Sequence, residues 1–230
     1  MNIQILHLKE GARAARGLTV IIDVFRAFTV APYLFKQHAS CVIPVSKVKT
    51  AFDLKTGHPD YILIGERNED KVPGFDFGNS PSAVSTFDFT GKTVVHTTSS
   101  GTQGIINAVN ADQIITGSFV NVHSIVRYIQ QQNPAEVSLV CMGYACEYET
   151  EEDTFCAEYI KGCLEGMCPD FEEMKTVIRN TSGARFFDPA KQHFAPSEDF
   201  YMCLQTGIFD FVLKVMPYEK DLFRLTRIDI

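Results

Sequence analysis

Several short polar groups in this chain have the residue types and spacing to act on an anion. Asp23 directly follows the apolar run LTVII, and Arg26 lies three residues on in DVFRAFT. A carboxylate at a strand end either caps the next helix or binds a metal. An arginine one turn later either pairs on a helix surface or offers a planar fork to phosphate or sulfonate. The stretch GERNEDKVPGFDFGNSPS holds Glu66, Arg67, Asp76 and Asn79. In TVVHTTSSGTQGI a β-branched run reaches His96, and Thr97, Thr98, Ser99, Ser100, Gly101 and Thr102 follow before a helical segment. Such a turn is either an N-cap or an anion cradle, because free N–H groups at a helix start face negative charge and glycine lets the backbone approach a ligand. Ser118 and Asn121 follow the run QIITG. YETEEDTFCAEYI carries six acids between Glu147 and Glu158; most must face solvent, but one or two near the helix start suit a hard cation. Mg²⁺ takes one or two carboxylates and keeps several waters.

Other chemistries leave no trace. Gly91-Lys92-Thr93 lacks the glycine five residues before Gly91 that a P-loop requires, since position 86 is Thr, and its Lys precedes a strand. One glycine in the Thr97–Thr102 turn is too few for a dinucleotide fingerprint. No cysteine is followed six positions later by arginine, Asp23-Val24-Phe25 has no second aspartate, and there is no Gly-x-Ser-x-Gly elbow. His96 and His123 fall near strand ends, where packing or capping is the commoner role, and the histidines form no pair at metal-ligand spacing.

The elements that must hold these groups repeat one unit: an apolar β-branched strand, a polar or glycine-bearing loop, then a helix. Leu18–Ile22, Tyr61–Ile64, Gln113–Thr116 and Val137–Met142 read as strands buried on both faces, and a helix begins near Thr154. The alternation predicts an α/β fold, three layers α/β/α around a mainly parallel or mixed sheet, as one domain over residues 1–230 or as two intimate lobes. In open α/β sheets ligands bind beyond the carboxyl ends of the strands, where Asp23, Glu66, the Thr97–Thr102 loop, Ser118 and the Glu151–Asp153 acids fall. The tail after Arg179 is less regular, with one helix expected over Ser197–Phe211 and Ser197 as its N-cap.

Composition narrows the classes further. Twenty-one basic residues against 28 acidic ones give a net charge of −7 with no basic run, which argues against nucleic acid or an anionic membrane as partner. No apolar run approaches the roughly 20 residues of a membrane span, and the N-terminus lacks a signal layout. Cys141, Cys146, Cys156, Cys163 and Cys168 cluster without the close pair typical of zinc sites, so reduced thiols and a cytoplasmic location are expected.

Taken together, these motifs resemble the Mg²⁺-dependent 2-phosphosulfolactate phosphatases of coenzyme M biosynthesis. The family's Asp-Val-Leu-Arg-Ala is matched by DVFRAFT from Asp23, and its Gly-Glu-Arg by Gly65-Glu66-Arg67. Its Gly-Phe-Asp-x-Gly-Asn-Ser-Pro is present in full over Gly74–Pro81. Thr97, Thr98, Gly101 and Thr102, then Gly117, Ser118 and Asn121, then Glu152-Asp153 follow in the same order. The resemblance implies hydrolysis of 2-phosphosulfolactate, or a related phospho-acid, to 3-sulfolactate and phosphate. Asp23 with Glu66 or Asp153 would hold Mg²⁺, and Asp23 would also be the base or nucleophile. The Thr97–Thr102 loop, with Ser99 and Ser100, and Arg26 would grip the phosphate. Arg67, Asp76, Asn79, Ser118 and Asn121 would position the substrate. The chain departs from the family's Asn-Gly-Thr-Arg at Ser100 and Gln103, which removes a positive charge expected beside the anion and opens the choice of phosphoester. A non-catalytic sensor of a phosphorylated or sulfonated metabolite is the alternative. The phenylalanines of Phe75–Phe77 and Phe209–Phe211 could pack internally or across a homodimer.

Overall fold

The computed structural model describes residues 1–167 and 169–230; Cys168, grouped above with the reduced thiols, lies outside them. Its strands β1 (Asn2–His7), β2 (Leu18–Ile22), β3 (Cys41–Pro44), β4 (Ile62–Arg67), β5 (Asp70–Lys71), β6 (Thr93–Thr97), β7 (Gln113–Gly117), β8 (Glu136–Cys141), β9 (Phe211–Pro217) and β10 (Phe223–Asp229) form a ten-stranded mixed sheet. Around it lie helices α1 (Leu8–Ala14), α2 (Ala27–Lys36), α3 (Val48–Gly57), α4 (Pro81–Val84), α5 (Gly101–Asn107), α6 (Val122–Gln132), α7 (Glu151–Leu164), α8 (Phe171–Asn180) and α9 (Ser197–Cys203). The predicted strands are all present, β2 with the expected bounds.

The strand order is β1-β8-β2-β7-β9-β10-β3-β6-β4-β5. β1, β8, β2 and β7 are mutually parallel, as are β3, β6 and β4. Between the two sets sits the antiparallel hairpin β9–β10, antiparallel also to β7 on one side and to β3 on the other. The two parallel sets therefore run in opposite directions. Their carboxyl ends do not share a rim in the sense expected for a single parallel sheet. They meet because strand twist of roughly 20–25° per step accumulates across the five steps from β2 to β6.

Burial explains that curl. Along β2 the side chains alternate: Leu18, Val20 and Ile22 pack with Phe119, Ile125 and Ile160, whereas Ile21 packs into a core with Phe28, Leu34 and Phe211. That second core also takes Val42, Ile64, Val94 and Leu225 from the opposite half of the sheet. Both halves thus wrap one shared interior, and Ile43, Leu63 and Val95 turn outward onto Ala51 of α3. Phe75, Phe77, Phe209 and Phe211 pack internally, against Phe52, Phe89, Tyr33 and one another.

The C-terminal region departs from the reading of its sequence. The helix expected over Ser197–Phe211 stops at Cys203, and Phe211 opens β9. Pro196, not Ser197, occupies the cap position. The alternating apolar face of Phe211, Leu213 and Val215 decides for a strand, because it completes the shared core. Among the described residues no helix is long and apolar enough to cross a membrane.

Candidate active site

The cavity at which the two halves meet is lined by Asp23, Arg26, Glu66, Glu69, Asn79, Ser99, Ser100, Gly143 to Ala145, Glu152 and Arg185. It encloses about 40 Å³. A water needs roughly 10–15 Å³ of such space, so the cavity has room for a few water-sized species. A wider cavity of about 460 Å³ abuts it, sharing Glu69 and Asn79.

The Thr97–Thr102 turn does cradle anions, and the anions are the protein's own. Ser99 N donates to Glu66 Oε1 at 2.6 Å, and Ser99 Oγ to Glu66 Oε2 at 3.2 Å. Gly101 N donates to Asp23 Oδ2 at 2.7 Å, and Ala27 N, opening α2, donates to Asp23 Oδ1 at 3.1 Å. Asp23 therefore caps its own helix and ties β2 to β6. A Cβ at Gly101 would stand 2.7 Å from Asp23 Oδ2 and 3.0 Å from Ala27 Cβ, which is why glycine sits there.

Several expected site residues hold the frame instead of lining the cavity. Thr97 Oγ1 accepts from Arg67 Nη2 at 2.9 Å, and Arg67 also donates to the Glu66 and Ser46 carbonyls. Thr98 and Thr102 bond to each other's backbone and hydroxyls, locking the turn. Ser118 Oγ donates to Phe28 O, and Ser118 with Asn121 forms a capping box on the single helical turn Phe119–Asn121. Asp76 accepts from Leu63 N and faces Lys55 at the outer edge. Gln103, where the family usually has arginine, donates its Nε2 to Ser46 O and does not line the cavity.

Two acids in the first turn of α7 face different ways. Asp153 accepts from Val24 N and Gly143 N, both at 2.8 Å, and clamps the β2 and β8 loops together behind the cavity wall. Its neighbour Glu152 is the one that lines the cavity. Glu152 is 3 % exposed and its Oε2 has no hydrogen-bond partner among the described residues. The Ser182 and Thr150 hydroxyls are near enough to favour its charged form without making a bond of good geometry.

Crowding of these acids shows in their titration. Burial, then the charges of Glu66 and Glu152, raises Asp23 to about 7. Burial and the charges of Glu152 and Asp23 push Asp153 well above the carboxylate range. Glu152 is raised by burial and pulled back by Arg185. Buried His96, whose Nε2 lies 3.0 Å from Asn79 Oδ1, falls to about 4 and stays neutral.

Four carboxylates line the cavity against two guanidinium groups. Arg26 is committed: its Nη1 donates to Asp199 Oδ2 at 2.7 Å and to Phe194 O at 2.6 Å. Asp199 is fully buried, and its other oxygen takes Ser80 Oγ, Ser82 N and Ser82 Oγ. The C-terminal segment thus reaches back over α4 to fix Arg26. Arg185, from the same segment, keeps spare donors. Neither Arg185, Glu69 nor the Asp199 partnership had a local signal in the sequence. Arg185 stands in an aperiodic loop, and Glu69 with Asn68 turns β4 into β5 at φ values of 70° and 53°, left-handed conformations that non-glycine residues seldom adopt.

A family model described as 2-phosphosulpholactate phosphatase matches residues 5–217. The chain belongs to that family. A "probable 2-phosphosulfolactate phosphatase" of Bacillus subtilis is 32% identical over 219 residues, 94% of each chain. One of the same name from Caldanaerobacter subterraneus is 29% identical over 209 residues, 85% of this chain and 86% of its own. A third, from Thermoplasma volcanium, is 27% identical over 196 residues, 85% of this chain and 88% of its own. Family membership makes phosphoryl chemistry at the acidic cavity the reading to weigh.

Proposed function

We propose that this member of the 2-phosphosulpholactate phosphatase family is a Mg²⁺-dependent phosphatase that hydrolyses 2-phosphosulfolactate to 3-sulfolactate and phosphate at the Asp23–Glu66–Glu152 cavity. The observation that carries the reading is the excess of buried carboxylate over free cation there. With all groups ionised, Asp23, Glu66, Glu69 and Glu152 outweigh Arg26 and Arg185 by two charges. A phosphate monoester dianion would be repelled from such a wall unless a cation intervened.

The donor set fits Mg²⁺. Asp23, Glu66 and Glu152 offer hard oxygens, and Glu152 Oε2 is buried without a hydrogen-bond partner among the described residues. Among the described residues no three acids, histidines or cysteines come together as a set that could hold a metal ion, so Mg²⁺ would take one or two of these carboxylates and rely on water and the substrate phosphate for the rest. When bound, it would neutralise charge on the phosphoryl oxygens and on the departing alkoxide.

The protein's own groups supply the remainder. Ser99 and Gly101 N–H groups hold Glu66 and Asp23 in place. Asp23, fixed by two backbone donors, faces the space where phosphorus would sit, as the base toward water or as the nucleophile. Ser100 Oγ, on the cavity wall, and Arg26, whose Nη1 is anchored by Asp199 and Phe194 O while its Nη2 makes only one bond of 3.4 Å, to Glu69 O, among the described residues, offer the phosphoryl oxygens donors whose geometry is set before the substrate arrives. The test is phosphate release from 2-phosphosulfolactate beside a panel of other phospho-acids, with Mg²⁺ and with EDTA. Mg²⁺-dependent turnover that Asp23→Asn abolishes is expected. No turnover of any panel member by folded protein would overturn the reading in favour of a sensor.

A further inference from the structure

The cavity of about 40 Å³ abuts the wider one and shares Glu69 and Asn79 with it, so a phospho-acid with its phosphoryl group at Asp23 extends toward that wider space. Glu69 lines both spaces, so the substrate's remainder passes it. Glu69 Oε1 lies 3.1 Å from Nε of Arg185, and each side chain is only 16% exposed. The Arg185 guanidinium packs between the rings of Phe186 (5.3 Å), Phe25 (5.6 Å) and Tyr144 (5.8 Å). Neither of its terminal nitrogens has an acceptor among the described residues, whereas Arg26 and Arg67 donate from both of theirs. A half-used planar fork, oriented by aromatic faces and shielded from water, matches a carboxylate or sulfonate bound through two parallel hydrogen bonds.

We propose that Arg185 is the specificity residue for the acid group that stays on the product, a sulfonate or carboxylate, and that Glu69 is its counter-ion in the empty site, displaced when that acid binds. The proposal rests on the phosphatase reading for its substrate, but its binding arm does not need turnover. In the phosphatase reading Arg26 and Ser100 serve the transferred group, so Arg185 serves the part that remains.

The binding arm titrates 3-sulfolactate into the wild-type protein, Arg185→Gln and Glu69→Gln by calorimetry, with Mg²⁺ present. Arg185→Gln should weaken binding by about tenfold or more, the loss expected for charge-assisted hydrogen bonds. Glu69→Gln should tighten it, because the competing carboxylate is gone. A misfolded or loosened site would weaken in both variants, so opposite signs separate recognition from support. The kinetic arm compares 2-phosphosulfolactate with isopropyl phosphate, which lacks a second acid. Arg185→Gln should lower the kcat/KM ratio between the two by about tenfold or more, chiefly through KM, and Arg185→Lys should restore part of it. Equal losses on both substrates, or weaker 3-sulfolactate binding in Glu69→Gln, would overturn the proposal. So would wild-type protein that binds no 3-sulfolactate at millimolar concentration. Wild-type protein that binds 3-sulfolactate through Arg185 yet releases no phosphate would defeat the phosphatase reading alone.

Discussion

Replacing Asp23 with Asn should make the cation-free protein more stable at neutral pH even as it removes activity. The carboxyl is buried, and its pKa rises from 3.8 to about 7 through burial and the charges of Glu66 and Glu152. Between those values the folded protein keeps a proton that the unfolded chain releases. The unfolded state then binds fewer protons, so stability falls as pH rises through the window. About three units at 1.36 kcal/mol each make the full cost near 4 kcal/mol above pH 7. Against this, an amide offers one acceptor where the carboxylate satisfies both Ala27 N and Gly101 N. One N–H left facing the amide nitrogen costs about 1–3 kcal/mol. The carboxylate's burden is the larger, leaving the variant ahead by about 1–3 kcal/mol, or several degrees of Tm at roughly 2–4 °C per kcal/mol for a chain of this size. The assay is thermal unfolding in EDTA at about pH 8 and about pH 5. The variant's advantage should shrink by about 2–3 kcal/mol at the lower pH, where the native carboxyl is protonated. Adding Mg²⁺ should raise the Tm of the wild type more than that of the variant. A variant less stable than wild type at pH 8, or a gap that ignores pH, would refute the account of the cavity as crowded with unneutralised acid.

Two further outcomes follow from the anchoring of the site. Asp199→Asn leaves Arg26, 5% exposed, without its anionic partner, so stability should fall by about 3–5 kcal/mol as expected for a broken buried pair; denaturant unfolding would show it, and a loss below about 1 kcal/mol would mean that the C-terminal segment is held by other contacts. Gln103→Arg restores the family's usual residue, but position 103 points at Ser46 O, so kcat/KM for 2-phosphosulfolactate should stay within about a factor of two, in line with substitutions away from packed features. A marked change in substrate preference would place that side chain nearer the cavity than its hydrogen bond indicates.

The sequence by itself determined the α/β class, the strands β2, β4, β6, β7 and β8 and the main carboxylates, because those rest on local pattern. Burial on both faces writes a continuous apolar strand such as LTVII, and a turn that must present N–H groups writes glycine and hydroxyls in a row. Asp23, Glu66 and the Ser99–Gly101 turn were legible for that reason. Which way each side chain points was not. Glu152 and Asp153 are adjacent on the first turn of α7, and only the packing of that helix against the β2 and β8 loops turns Glu152 to the cavity and Asp153 to two backbone N–H groups. Arg67 and Asn79 both fall in motif matches, yet Arg67 is spent on Ser46, Glu66 and Thr97 while Asn79 reaches the cavity. The tertiary structure alone decided that the two parallel strand sets oppose each other and meet through twist, since that depends on the β9–β10 hairpin inserted from the far end of the chain. It also decided that Arg185 and Asp199 belong to the site. A residue that works through partners more than a hundred positions away leaves no periodicity or spacing to read, because the physics that fixes its role is contact made only in the folded chain.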